Sequence, residues 1–181
     1  MKLSRILNPL IGTLLTFGVL IGALMLIKGP RYVVAKYYYW KGYTDQNAQD
    51  MDGAIEVYTK VLEVDSTFIV AYISRGSAYV DLKKYDLAIA DYDKAEELEP
   101  DNARIYAYRG RAYYDSEQHD KAMNDYNKAL NLDSNFGYAY YNRGLLKYVN
   151  QDFEGGCEDF LKGAECGFSA AQEVIARGDC Q

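Results

Sequence analysis

The segment Ala71–Tyr79 reads AYISRGSAY, and the segment Ile105–Tyr113, which lies 34 residues further along the chain, reads IYAYRGRAY. Related segments read YYYWKG at residues 37–42 and AYYNRG at residues 139–144. The same glycine therefore recurs every 34 residues, at Gly42, Gly76, Gly110 and Gly144. A fixed period of this length is typical of proteins built from stacked structural repeats.

Other positions follow the same period. A tyrosine precedes each glycine by four residues, at Tyr38, Tyr72, Tyr106 and Tyr140. A small residue follows each glycine by twelve, at Ala54, Ala88, Ala122 and Gly156, and an aromatic residue comes four later, at Tyr58, Tyr92, Tyr126 and Phe160. Spacings of three, four and seven residues indicate helices. Each period therefore predicts two antiparallel helices, with small residues at their contact and aromatic residues filling the gaps.

This pattern resembles the tetratricopeptide repeat (TPR) over about residues 35 to 168. The resemblance is strong in repeats two and three, where Tyr79, Tyr113 and Pro100 also fit. It is weaker in repeat one, which has Asp45 in place of that tyrosine, and in repeat four. It implies an all-α, TPR-type α-solenoid, with four repeats in residues 32–168 and a capping helix in residues 169–181.

The N-terminal residues 1–31 form a separate segment. Ile6 to Ile27 contains no charged residue, and its last 18 residues would span about 27 Å as a helix, close to the thickness of a hydrocarbon core. The run is long for a cleaved signal peptide, and no small-x-small cleavage site follows it. We therefore predict a single-pass transmembrane anchor in contact with membrane lipid. Charge counting leaves both orientations open, with a periplasmic domain expected and a cytoplasmic one as the alternative.

The chain offers little for catalysis or nucleic-acid binding. Residues 45–181 carry a net charge of -12, which would repel phosphate backbones. The single histidine, His119, occupies a position where other repeats have packing residues, and no phosphate loop, nucleophile elbow or metal-spaced cluster is present. We expect no enzyme activity, no cofactor, no metal and no nucleic-acid partner.

All three cysteines, Cys157, Cys166 and Cys180, lie near the C-terminus. Two antiparallel helices of about ten residues, each about 15 Å long, would bring Cys157 and Cys180 to the same level. A disulfide between them would pin the capping helix and imply an oxidising, periplasmic space. The alternative is buried thiols in a reducing compartment.

By analogy with TPR proteins, the first helix of each repeat would line a concave groove. The predicted partner-binding residues are Tyr39, Tyr43, Ile73, Ser77, Arg104, Arg111, Tyr114, Tyr138, Tyr141 and Tyr148. Tyrosine and arginine concentrate binding energy at interfaces, so a peptide or helix with apolar anchors and a carboxylate near Arg104 and Arg111 would suit this surface. Alternatively, some of the tyrosines pack against neighbours or lipid headgroups.

Two further expectations concern charged positions. The TPR clamp for acidic chaperone tails requires Lys and Asn where this chain has Tyr39 and Tyr43, so that clamp is not carried over. The arginines that precede three of the glycines, Arg75, Arg109 and Arg143, are expected to pair with acids on the repeat surface, with a charged ladder for a partner as the alternative.

Together these features predict a membrane-anchored protein–protein interaction scaffold or assembly subunit. A variant of this prediction is a constitutive subunit of a larger membrane complex. The alternative class is a membrane-held chaperone for secreted or outer-membrane clients.

Overall fold

The computed structural model describes residues 30–47 and 49–180, and these residues form helices joined by short turns. The helices are α1 (Pro30–Asn47), α2 (Met51–Val64), α3 (Ile69–Asp81), α4 (Tyr85–Leu98), α5 (Ala103–Asp115), α6 (His119–Leu132), α7 (Gly137–Val149), α8 (Phe153–Glu165) and α9 (Ser169–Ala176). The all-α prediction is confirmed. The chain divides into two compact units, Met1–Phe68 and Ile69–Gln181.

One turn position recurs in every hairpin. Gln49, Lys83, Glu117 and Gln151, spaced 34 residues apart, all have positive φ angles between 58° and 65°. A non-glycine residue pays about 1–2 kcal/mol for this conformation. In the second hairpin the turn closes through backbone hydrogen bonds from Lys83 N to Val80 O and from Lys84 N to Tyr79 O, each 2.8 Å. These bonds satisfy carbonyls at the end of the first helix and reverse the chain.

The start of a following helix is capped by a side chain in several places. The Asp50 and Asp152 carboxylates accept hydrogen bonds from Gly53 N and Gly155 N at the starts of α2 and α8. These bonds satisfy amide groups that have no partner within the helix.

In the first unit, α1 packs against α2. Ala35, Ala54 and Tyr58 are fully buried at this contact. A Cβ atom on Gly42 would lie 2.7 Å from Cε1 of Tyr58. The glycine therefore makes room for the ring.

The second unit repeats this contact in each hairpin. A Cβ on Gly110 would lie 2.7 Å from Cε1 of Tyr126, and the same relation holds between Gly76 and Tyr92 and between Gly144 and Phe160. Consecutive hairpins also share a core, because Ile105 of α5 packs in one cluster with residues of α3 and α4. The periodic residues seen in the sequence thus hold each hairpin together.

The arginines that precede the glycines pair with acids, as predicted, but these acids are not at the surface. Each binds an aspartate of the second helix in its own hairpin through both Nε and Nη2, in the pairs Arg75–Asp91, Arg109–Asp125 and Arg143–Asp159. The three aspartates are only 5%, 8% and 1% exposed. The expectation of surface pairs was wrong, because the aspartates lie inside the hairpins.

Arg109 and Arg143 also reach the preceding repeat. Arg109 Nη1 lies 2.6 Å from Asp93 Oδ1 and also contacts Glu96, both in α4. Arg143 Nη1 donates to Asn127 Oδ1 of α6 at 2.7 Å. The arginine ladder, defined by Arg75, Arg109 and Arg143, therefore connects helices within hairpins, and Arg109 and Arg143 also connect neighbouring hairpins.

A disulfide holds the C-terminal segment to α8. Cys157 of α8 and Cys180 are joined by a disulfide, with their Cα atoms 5.4 Å apart, and Cys166 is a free, half-buried thiol. The phenol of Tyr148 donates to the carbonyl of Asp179 at 2.8 Å, next to the disulfide. The segment after α9 is thus fastened to α7 and α8.

The predicted anchor, residues 1–31, lies almost wholly outside the described residues. Across residues 30–47 and 49–180, no helix combines the length and apolar character needed to cross a membrane.

Candidate partner-binding groove

The first helices of the three hairpins in the second unit, α3, α5 and α7, contact one another in sequence order. Between them lies a cavity of about 110 Å³, here called the central cavity. It is lined by Ser77, Val80, Asp81, Tyr92, Tyr108, Arg111 and Tyr138. Three predicted groove residues from three different repeats, Ser77, Arg111 and Tyr138, therefore meet at one place.

The cavity lining contains the hydrogen-bond donors Arg111 and Tyr138 together with one carboxylate, Asp81. Arg111 Nε contacts Asp115 Oδ2 at 3.3 Å, and about half of the Arg111 side chain remains exposed. Burial raises the pKa of the Tyr138 phenol to about 12, although Arg111 opposes the shift. Tyr138 is therefore a neutral phenol at physiological pH. A guanidinium and a phenol at one cavity can both donate to a carbonyl or carboxylate oxygen of a ligand.

Aromatic side chains extend the site along α5 and α7. The rings of Tyr108 and Tyr138 have centroids 5.1 Å apart, and the guanidinium of the exposed Arg104 lies 5.9 Å from the Tyr108 centroid. Arg104, Tyr108 and Tyr138 thus form a row that begins at the surface and ends in the central cavity. Such rows of tyrosine and arginine suit the binding of a protein segment.

Other predicted groove residues make packing contacts within the second unit. Ile73 is only 5% exposed and belongs to the core cluster shared by α3, α4 and α5, so it offers almost no surface to a partner. Tyr114 stacks on His119 with centroids 5.7 Å apart. Tyr141 packs against Phe160 and Phe168 at 5.7 and 5.3 Å.

Tyr148 contacts the C-terminal segment. Its ring packs against Phe153 and Phe160 at 5.1 and 5.6 Å, and its hydroxyl group binds the Asp179 carbonyl. Tyr148 therefore supports the disulfide-bonded C-terminal segment.

The two predicted residues of the first unit also differ from each other. Tyr39 packs against Tyr58 and Phe68, with centroids 5.9 and 5.8 Å apart. Tyr43 is 45% exposed and meets Trp40 edge to face at 5.9 Å. Tyr39 is thus engaged within its unit, whereas Tyr43 presents surface.

The sequence prediction left out Tyr108 and Tyr92 of the central cavity. Tyr108 lies four residues after Arg104 and three before Arg111, a spacing that places all three on one helical face. This spacing could have identified Tyr108. Tyr92 belongs to a second helix, α4, and also lines the cavity. Its repeat position alone does not indicate that it lines the cavity.

Helical hairpins with a common period, closely packed and carrying a cavity on their first helices, define a helical-repeat scaffold for protein–protein interaction. Models of the tetratricopeptide repeat match residues 35–68, 76–116 and 110–151, and together they span more than half of the chain. The chain belongs to the tetratricopeptide repeat family.

Solved structures agree with this assignment. The first TPR of Spaghetti (RPAP3), bound to the HSP90 peptide SRMEEVD, is 28% identical over 65% of this chain and 94% of that one, with a TM-score of 0.62. A crystal structure of MamA is 25% identical over 77% of this chain and 85% of that one, with a TM-score of 0.61. MamA 41-end from Desulfovibrio magneticus RS-1, at 22% identity and a TM-score of 0.65 over 85% of this chain and 94% of that one, shows the fold alone. Among curated proteins, no relative was found.

Proposed function

We propose that this protein binds a peptide or helix of a protein partner across α3, α5 and α7, and that residues 1–31 hold it to a membrane. The observation that carries the proposal is the central cavity, where Ser77, Arg111 and Tyr138 from three successive repeats converge. A site assembled from several repeats suits an extended ligand better than a small molecule.

The size and donors of the cavity define the ligand's chemistry. About 110 Å³ accommodates one side chain or a few water molecules. Arg111 and Tyr138 favour an oxygen acceptor, and the row formed by Arg104 and Tyr108 favours an apolar or aromatic neighbour. The partner segment therefore combines an acceptor group with an apolar anchor.

The RPAP3 relative supports a peptide ligand, because its structure contains an HSP90 peptide. The partner of this protein is of another kind, since Tyr39 and Tyr43 stand where the clamp for acidic chaperone tails requires Lys and Asn. Tyr39 is moreover packed against Tyr58 and Phe68.

Two features support placing the scaffold at a membrane and facing the periplasm. The uncharged run Ile6 to Ile27 is long enough to span a bilayer. The Cys157–Cys180 disulfide favours an oxidising compartment. Protease accessibility in intact cells tests the orientation: digestion only after the inner membrane is opened would show a cytoplasmic domain and contradict the periplasmic one.

The groove is tested by affinity capture of the full-length protein from detergent-solubilised membranes. Arg111→Ala should weaken partner capture at least about tenfold, equivalent to about 1.4 kcal/mol. The matched control is Arg177→Ala, because the Arg177 side chain is 68% exposed and pairs with the equally exposed Glu173 of α9. Circular dichroism should show unchanged helical content in both variants. Equal capture by both variants would contradict the groove assignment.

A further inference from the structure

Comparison of equivalent positions in the repeats shows an unusual feature of α1. The residue five positions before each repeat glycine is fully buried in later repeats, at Ala71, Ile105 and Ala139. Ile105 packs with residues of α3 and α4, and Ala139 packs with residues of α5 and α6. At Ile105 and Ala139 this position is therefore where a first helix contacts the preceding repeat. In α1 the same position holds Tyr37, which is 68% exposed.

Two more aromatic residues are exposed on α1. Trp40 is 58% and Tyr43 is 45% exposed, whereas Ala35 and Gly42 are buried against α2. Tyr37, Trp40 and Tyr43, here called the outer aromatic face, thus lie away from the contact with α2. Lys41, adjacent in sequence to Trp40, is also exposed.

The size and polarity of these residues indicate what covers the face. A further helical hairpin would require a small or aliphatic residue at position 37, as at Ile105 and Ala139, so a bulky tyrosine disfavours that packing. Tyrosine and tryptophan combine an apolar ring with a polar group, and such residues are enriched with lysine and arginine at the membrane–water interface.

The neighbouring sequence points to the same occupant. The uncharged run Ile6 to Ile27 ends three residues before α1 begins at Pro30. Residues 1–44 contain six Lys or Arg and no acidic residue, which suits a negatively charged lipid surface.

We propose that the outer aromatic face of α1 lies in the headgroup region of an anionic bilayer. The inference rests on the proposed anchor, and it adds a second, peripheral lipid contact that holds the first repeat unit flat against the membrane. Anionic lipid at this contact would thereby set the orientation of the first unit relative to the membrane surface.

The test uses the intrinsic fluorescence of the full-length protein, because Trp40 is its single tryptophan. The protein is reconstituted into vesicles of phosphatidylcholine with a minority of phosphatidylglycerol. We expect Trp40 to emit at a shorter wavelength than in the urea-unfolded protein and to be quenched severalfold less by acrylamide than in that unfolded protein. Headgroup-labelled lipid should quench Trp40 fluorescence. Trp40 that remains fully accessible to acrylamide while the protein floats with the vesicles would overturn this inference and leave the anchor intact.

Matched variants and two further outcomes complete the test. Tyr37→Glu with Lys41→Glu should shift Trp40 emission back to longer wavelength, whereas Leu87→Glu, at a 50% exposed position on α4, should not. A protein that fails to float with vesicles would overturn both the anchor and this inference. Protection of Trp40 that rises with the protein-to-lipid ratio would show that a second copy covers the face and would overturn the lipid contact.

Discussion

Replacement of Asp159 by alanine should be among the most destabilising single changes in this protein. The Asp159 side chain is 2% exposed and accepts hydrogen bonds from Arg143 Nε and Nη2 at 2.8 and 2.7 Å. Lys147 Nζ also lies 2.9 Å from its carboxylate. Asp159→Ala would leave two largely buried cations without their shared anion. Removing one partner of a buried pair costs about 3–5 kcal/mol.

Urea denaturation of the protein in mild detergent, followed by circular dichroism, measures this loss. With a denaturant slope of about 2 kcal/mol per molar, the unfolding midpoint should fall by about 2 M. Glu173→Ala is the control, because Glu173 pairs with Arg177 at 3.4 Å and both side chains are 68% exposed. Its cost should be below about 1 kcal/mol. A loss for Asp159→Ala as small as that of the control would refute the structural role of the arginine ladder.

Further predictions concern tyrosines and the disulfide. In the same urea assay, Tyr126→Phe should stabilise the protein by about 1 kcal/mol, because it removes a buried hydroxyl group without a hydrogen-bond partner. Tyr58→Phe should destabilise the protein by a similar amount, because it removes a hydrogen bond of 3.1 Å. The pKa of Tyr138 is raised from 10.0 to about 12, so its contribution to stability is complete below pH 10 and is lost as the pH rises through about 12. Tyr138→Phe should therefore reduce the loss of stability at alkaline pH. An unchanged pH profile of stability would refute this assignment. Reduction of the Cys157–Cys180 bond should lower the free energy of unfolding by about 3 kcal/mol, and thiol counting on the denatured, unreduced protein should find one free thiol rather than three.

Much of the fold follows from the period of the sequence. The recurring glycines and aromatic residues predict paired helices because only a small residue admits a ring at the helix contact, as Gly110 and Tyr126 show. The helix lengths on either side of Gly167 likewise bring Cys157 and Cys180 to the same level, where the structure joins them.

The candidate site could be predicted only in part. A repeat position indicates which face of a helix a residue occupies, but its exposure depends on the neighbouring repeat. Ile73 lies on a first helix as expected and is nevertheless buried by residues of α4 and α5. Tyr148 binds the Asp179 carbonyl, a contact across 31 residues that no local spacing encodes.

The burial of the arginine ladder was missed for a similar reason. Charged residues are almost always exposed unless they are paired, so Arg75 was expected to pair with an acid on the surface, whereas it pairs with the buried Asp91. Their 16-residue separation nevertheless matches the second half of α3, the turn and the first half of α4. Its recurrence for Arg109 and Arg143 was the available signal for a buried pair.

Site-specific photo-cross-linking in the intact membrane tests the groove most directly. A photoreactive amino acid at Ser77, which lines the central cavity, should form a covalent adduct with a partner protein. The same amino acid at Leu87, which is 50% exposed on α4, should not form that adduct. Adducts from Leu87 with none from Ser77 would contradict partner binding across α3, α5 and α7.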